Sequence, residues 1–459
     1  MARARAPRPA VNPFAGVEAG YQWIESLLQI DRGPYEARRY RLARMRELLA
    51  DFGDPHLAVP VVHVAGSKGK GSTAALVASA LAADGLRCGL YTSPHVESYR
   101  ERVRVLDGSL SDEAAVMLFG HIRHYVDRIA RTRPASVLPT TFELLTLFGF
   151  LCFRETKCDC AVIEVGIGGR TDATNLVRPV AVAITPIELE HTDLLGKTLR
   201  AIAAEKAGTI KRGVPVFIAR QHAETMQTLL RVAQLRRAPA HLVERDIESV
   251  AAMPTLHGTQ VRLRLRDGME VATTLRLLGR MHAENAALAA LVVRAVRPDV
   301  QGATLATGLA EAWLPGRSEL VPGTPAFLLD GAHTGVSVGL LCRTAGELCP
   351  QRLSRTVVFG SVVGKDHRTM LEHLVRTFAR IVITKAGAFK PSDPQTLLRV
   401  CQQFGGDCRM VEDLPAAIRE AAASREGIAP ELVAVTGSFY LVGEARRHLR
   451  DERREGRTA

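Results

Sequence analysis

Pro60-Val-Val-His-Val-Ala-Gly-Ser-Lys-Gly-Lys-Gly-Ser-Thr73 is the stretch on which the reading of this chain turns. Pro60 to Ala65 is a short β-branched run, the composition of a strand covered on both faces in a parallel sheet. Gly66, Gly69 and Gly71 then break the pattern. Ala74 to Ala83 is made of strong helix formers, with Ser72-Thr73 as the expected cap. The order is strand, glycine turn, helix.

The same grammar recurs outward from it. Short apolar runs at 87–91, 160–165 and 180–184 end in polar clusters, and another at 214–218 follows a helical segment over 198–210. Strands alternating with helices predict a parallel sheet, whose ligands bind beyond the strands' carboxyl ends. Two helices are expected over 17–50, with Ile24, Leu27 and Leu28 on one stripe and Leu42, Met45, Leu48 and Leu49 on the other. Residues 242–279 read differently. Val261 to Arg266 alternates strictly, Asp267-Gly268 makes a turn and Met269 resumes, which is an antiparallel hairpin with one wet face. An alanine-rich helix follows at 282–296. Strand grammar restarts at 326–330, 356–360, 380–384 and 432–436 after Pro315-Gly316 and Pro322-Gly323. The expectation is a disordered tail over 1–16, a larger domain over 17–314, a linker near 314–322, a smaller domain over 315–446, and a charged tail over 447–459 that frays.

At 459 residues the prior is two or three domains. Apolar residues at 47% and charged residues at 24% exclude a disordered or fibrous chain. The net charge of +12 suits anionic partners, nucleic acid among them. Aromatics at 5% argue against base-stacking platforms. The eight cysteines form no C-x-x-C pair; free thiols in a reducing compartment, with no disulfide, are expected. No apolar run approaches the roughly 20 residues of a membrane helix. The basic opening MARARAPRPA has the charge of a transit segment but holds two prolines and no apolar core, so a disordered tail is favoured.

Six places carry candidate chemistry. Gly66 to Thr73 resembles a phosphate-binding loop, with backbone amides and Lys70 facing an anion; Gly71 separates Gly-Lys from Ser72, so the generic motif is not matched, and a bare glycine turn is the alternative. Glu164 ends an apolar strand, where a carboxylate needs a cation or a salt bridge. His191 follows the next strand as a metal ligand or a structural histidine. With Ser72 these make a plausible magnesium shell at successive strand ends. Glu205-Lys206 is a site pair or a solvated helical pair. Arg317 can clamp a phosphate or be a linker charge. Asp330 and His333 end a strand, in a site or an ordinary turn.

Taken in order, these segments resemble folylpolyglutamate synthase and dihydrofolate synthase, within the Mur ligase superfamily. The likeness runs from about residue 17 to residue 446: His63 to Thr73, Tyr91 to His95, Glu101 to Arg104, Thr140 to Glu143, Glu164 to Asn175, Glu190 to Gly196, Glu205 to Gly208, Pro315 to Arg317, Asp330 to His333 and Gly437 to Gly443. The chain departs from the family at Ala283, where a Gln is usual, at Gly364, Thr334 and Ser67, and at Glu190, where Asp is usual.

The resemblance implies an N-terminal P-loop-type, mostly parallel α/β sheet domain with helices on both faces, plus a smaller C-terminal Rossmann-like α/β domain. It implies an ATP-dependent acid–amino-acid ligase that adds L-glutamate to dihydropteroate, to tetrahydrofolate, or to both through an acyl phosphate. Lys70 and the amides of Gly69, Gly71, Ser72 and Thr73 would hold ATP phosphates. Ser72, Glu164 and His191 would ligate Mg2+, with room for a monovalent cation. Lys206 matches a lysine that the superfamily carbamylates. Asn285, Arg317 and Asp330 would meet the nucleotide, and His333 would accept a proton or contact the nucleotide. Ser93, Pro94, His95 and Phe142 would border the pterin. A closing two-domain cleft would exclude water. The expected enzyme is a cytoplasmic monomer with no nucleic-acid or membrane partner. A cell-wall-precursor or cyanophycin-type ligase would share the loop and metal residues, and a non-catalytic nucleotide-binding protein only the loop.

Overall fold

The computed structural model describes residues 14–27, 41–387, 391–425 and 427–456. Leu28 and residues 1–13 and 457–459 of the expected tails lie outside them. Phe14 is buried, its ring edge-on to Phe119. By contacts the chain forms two compact units. One comprises 1–93, 102–243 and 291–299, the other 94–101, 244–290 and 300–459.

In the first unit seven strands form one sheet: β1 (Val61–Ala65), β2 (Cys88–Tyr91), β3 (Val103–Leu106), β4 (Cys160–Glu164), β5 (Pro179–Ile184), β6 (Val216–Ile218) and β7 (Ala240–Leu242). Their order is β3-β2-β4-β1-β5-β6-β7. All neighbours are parallel except β2 and β3. Central β1 and β4 are buried at every position, which is why their sequences are continuous apolar runs rather than alternating ones.

In the second unit β8 (Ile247–Thr255), β9 (Gly258–Leu265) and β10 (Glu270–Leu275) make an antiparallel sheet. The turn at Asp267-Gly268 stands as expected, with Gly268 at φ +91°. A six-stranded sheet follows from β11 (Glu319–Val321), β12 (Ala326–Asp330), β13 (Arg355–Phe359), β14 (Arg380–Ile383), β15 (Asp407–Met410) and β16 (Leu432–Thr436), in the order β11-β12-β16-β13-β14-β15. Only β11 is antiparallel. Alternate residues of its strands enter two separate cores. Leu328, Val357 and Ile381 pack under helices 335–348 and 367–377, and Leu329, Val358 and Val382 under helices 414–422 and 439–454, so helices cover both faces.

Three expectations are corrected. Ser72 and Thr73 do not cap the helix after β1. It runs Lys70–Ala83 with Gly69 at the cap, because φ +82° at that corner suits glycine and not a side-chain-bearing residue. The charged run after 446 does not fray before its end, since helix Phe439–Arg454 continues through it and Arg446 and Arg450 are paired with Glu97. Cys401 and Cys408 are bridged, joining the end of helix Pro394–Gln403 to edge strand β15, while six cysteines are free. Thiol titration in denaturant should therefore count six groups without reductant and eight after reduction; eight without reductant would refute the bridge.

Candidate functional site

The loop after β1 is shaped by its glycines. Gly66 sits at φ +141°, and a Cβ there would strike the Thr185 side chain. The amides of Ser67 and Lys68 donate to the Pro186 carbonyl at 2.9 and 3.2 Å. Helix Lys70–Ala83 then begins with no side-chain cap. A helix leaves its first amides without intrahelical partners, and glycine at the cap offers them nothing. Such an end attracts anions. Lys70 Nζ donates to the Ser67 carbonyl at 3.3 Å, folded over the loop.

Lys206 is not the solvated helical charge that was the alternative reading. Its side chain is 1% exposed, and Nζ donates to the Gly66 carbonyl at 2.7 Å and to Glu190 Oε1 at 3.0 Å. Burial, then Lys70, lowers its pKa to about 8 against the pull of Glu190. Burial pushes the Glu190 carboxyl up, but Lys70, Lys206 and Lys68 outweigh it and hold it below its ordinary value. Lys68, Lys70, Lys206 and Glu190 thus form one charge cluster at the loop, of which sequence reasoning assigned no role to Lys68 or Glu190. Their signal was position alone: Lys68 lies inside the loop and Glu190 beside His191.

Ser72 follows β1, Glu164 ends β4 and His191 follows β5, three neighbouring strands of the sheet. Glu164 is buried and its Oε2 accepts the Ser93 amide at 2.8 Å, which joins a proposed metal ligand to a proposed pterin residue. His191 is exposed at φ +47°. Among the described residues no three His, Cys, Asp or Glu side chains gather as a ready metal cage. The hydroxyl of Ser72 and the carboxylate of Glu164 are hard oxygen donors of the kind magnesium takes in ones and twos, with substrate phosphates completing the set. Phe142 lies against Gly166, where a Cβ would meet its ring, and near Tyr91 at 6.3 Å between centroids.

The second unit holds the other candidates. Asn285 Nδ2 lies 3.5 Å from His282 Nδ1, and burial, then Arg317, drives the His282 pKa down to about 4. Arg317 lies over the Phe439 ring at 4.1 Å, and His333 is edge-on to the same ring. A carbonyl only accepts, so the 2.8 Å contact between His333 Nδ1 and Gly331 O makes Nδ1 the protonated nitrogen and Nε2 the basic one. Both Asp330 oxygens are engaged, Oδ2 by the Ser318 amide and hydroxyl (2.8 and 2.7 Å) and Oδ1 by the Ala332 amide (2.8 Å). The His95 ring lies 4.0 Å from that of Tyr99, tilted by 49°, in the segment that begins at Pro94. Thr334, at one family departure, and Asp366, two residues after the departure at Gly364, each cap a helix.

Comparison with known proteins agrees with these motifs. Residues 64–293 match the Mur ligase middle domain, and residues 317–448 match the dihydrofolate synthetase C-terminal domain. A dihydrofolate synthase/folylpolyglutamate synthase of Bacillus subtilis is 31% identical over 445 residues, covering 95% of this chain and 100% of the relative. The chain belongs to the folylpolyglutamate synthase/dihydrofolate synthase family. A probable bifunctional folylpolyglutamate synthase/dihydropteroate synthase of Halobacterium salinarum is 37% identical over 402 residues, 87% of this chain and 48% of the relative. The chain spans about half the length of the archaeal curated relatives it matches. The structure of E. coli FolC in complex with DHPP and ADP superposes with a TM-score of 0.79 at 26% identity, covering 98% of this chain and 100% of that one.

The synthase family's block at 164–175 has a structural reason here. Asp172 is buried and accepts the amides of Ile167 and Thr174, each at 3.0 Å, and the Thr174 hydroxyl at 2.6 Å. That hydroxyl proton is spent on Asp172, so His63 Nε2–H must donate to Thr174 Oγ1 at 2.9 Å. His63 Nδ1 is then the basic nitrogen, buried and without a hydrogen-bond partner. Protonating it would bury an unpaired charge, and burial, then Lys211, lowers the His63 pKa to about 3. Below its ordinary value near 6.5 the unfolded ring takes up a proton that the folded ring refuses. Stability is present above that value and is lost as pH falls towards 3, by about 1.4 kcal/mol per pH unit. Replacing His63 with Gln should flatten the fall of Tm between pH 6.5 and 4, as measured by scanning fluorimetry. An unchanged slope would mean that the ring titrates normally.

Proposed function

We propose that this chain is an ATP-dependent amide ligase joining L-glutamate to the carboxylate of dihydropteroate or a folate. The observation that carries this is the glycine loop, with its uncapped helix end and Lys68, Lys70 and Lys206 around it. A triphosphate is the anion that suits that much positive charge, and a related protein was solved with ADP and DHPP.

The amides of Gly69, Gly71 and Ser72 and the Lys70 ammonium hold the phosphates; the Thr73 amide, expected to join them, donates instead to the Gly69 carbonyl at 2.8 Å. Ser72, Glu164 and His191 are the residues that would hold a magnesium ion, which neutralises phosphate charge when bound. The acceptor carboxylate attacks the γ-phosphorus, the bond to the bridging oxygen breaks, and ADP leaves an acyl phosphate. The glutamate amine attacks the acyl carbon, loses a proton, and phosphate departs. His333, with its basic Nε2, takes that proton; Arg317, Asn285 and Asp330 set the nucleotide side. Phe142 and Ser93 are assigned to the pterin, with Pro94 and His95 following Ser93 in the chain. A pKa near 8 leaves Lys206 a neutral fraction able to add carbon dioxide, and in that anionic form it would exchange Glu190 for a cation. Folylpolyglutamate and dihydrofolate synthesis share this chemistry, and the acceptor decides between them. A cytoplasmic monomer acting on small molecules, without nucleic-acid or membrane partners, is part of this reading. No described helix is long and apolar enough to cross a membrane.

Purified protein with ATP, magnesium and glutamate should release ADP only when dihydropteroate or tetrahydrofolate is also present. Running the two acceptors side by side names the substrate, and ADP release indifferent to both would sink the proposal. Lys70→Ala should lower kcat by about a hundredfold or more, as loss of a charge contact to the transition state does.

A further inference from the structure

The segment Pro94–Glu101 groups with the second unit although β2 and β3, which flank it in the chain, belong to the first. It is stapled from within, for the Glu101 carboxylate accepts the amides of Val96, Glu97 and Ser98 at 2.6, 2.9 and 3.2 Å. The Glu97 carboxylate receives Arg446 Nη1 on one oxygen and Arg450 Nη1 on the other, the latter at 2.8 Å. Arg446 Nε reaches both oxygens of Glu319 at 2.9 Å, and Glu319 Oε2 also accepts the Gly316 amide at 2.9 Å. The same guanidinium lies over the Trp313 ring at 5.2 Å.

Arg446, Glu97 and Glu319 are 19%, 10% and 12% exposed, so these charges have lost most of their water. Exposed pairs add little, and buried ones are costly to assemble, which makes fixed geometry their best-attested use. Steric fit supports the same junction. A Cβ on Gly443 would strike the Val96 carbonyl, and one on Gly316 would crowd Val442 and Val96. Both glycines belong to motifs quoted above, and both leave room for Val96.

We propose that Arg446 is a positioning residue for the ligase reaction, an inference that rests on the reading of the site given above. One guanidinium fixes two segments. Through Glu97 it sets the backbone that carries Pro94 and His95, on the acceptor side. Through Glu319 and Gly316 it sets Arg317, on the nucleotide side. The two branches can be cut separately. Glu97→Gln should raise KM for the pteroyl acceptor about tenfold and leave KM for ATP within about twofold. Glu319→Gln should do the reverse, and Arg446→Met should do both. Arg446→Lys should not rescue, because an ammonium cannot fork to two carboxylates as a guanidinium does. Arg450 still reaches Glu97 in Arg446→Met, so adding Glu97→Gln to that variant should raise the acceptor KM by less than Glu97→Gln does alone. Equal shifts in both KM values for either glutamate variant, or a lowered Tm with both KM values unchanged, overturn the proposal.

Wild-type turnover is measured first. Its absence would defeat the ligase reading, and hydrogen exchange of the full chain would then decide the clamp. Faster exchange at Val96, Glu97 and Ser98 in Arg446→Met supports it, and unchanged exchange overturns it.

Discussion

An ammonium placed 1% exposed inside a protein must be paid for by its contacts, and Lys206 has two, the Gly66 carbonyl and Glu190. The first fixes the corner at which the chain leaves β1, where only glycine fits beside Thr185. The second ties that corner to the segment after β5, where His191 lies two residues from Leu189. Remove the ammonium and the Gly66 carbonyl and Glu190 would both lose their buried donor. The start of the loop and the segment carrying Glu190 are thus tied together through that one buried cation. Its depressed pKa follows from the same crowding, since burial and Lys70 disfavour the charge that the carbonyl and carboxylate favour.

Much of this was legible in the sequence, for a physical reason. Strands buried on both faces must be continuous apolar runs, and β1, β4, β13 and β16 are buried throughout, so they could be read directly. Strands at or near sheet edges could not. β3, β7, β11 and β15 are three or four residues long and no residue in them is fully buried, which leaves neither an apolar run nor a clean alternation. β8 is long, but it holds Pro254 and alternates poorly. The helix start was misplaced because Ser72 and Thr73 are good caps by composition, whereas the loop needed a left-handed residue one turn earlier.

The candidate site divides along the same line. Residues that act through local geometry, such as Lys70 in its loop, were visible from spacing. Residues that act by meeting across the fold were not. Glu97 and Arg446 are 349 positions apart, and nothing in either neighbourhood marks the other. The Cys401–Cys408 bridge was missed although only seven positions separate the two, because intracellular prior and spacing both argued against it.

Asp330 shows how much a motif residue does for the backbone around it. Its carboxylate is buried, and burial pushes its pKa up while Ser318 and Arg317 pull it down. All the hydrogen bonds it makes go to its own surroundings, two of them to Ser318. Ser318 sits at φ +48°, a left-handed conformation that costs a side-chain-bearing residue about 1 kcal/mol or more. Two bonds from one buried carboxylate are enough to hold that strained residue in place. The residue before it is Arg317, whose guanidinium lies 4.1 Å from the Phe439 ring centroid, within reach of a cation–π contact. Asp330 therefore aims an arginine by straining its neighbour. Exchanging it for Asn would keep the size while turning one acceptor into a donor, so the Ser318 amide or the Ala332 amide would face another donor and Arg317 would lose its aim.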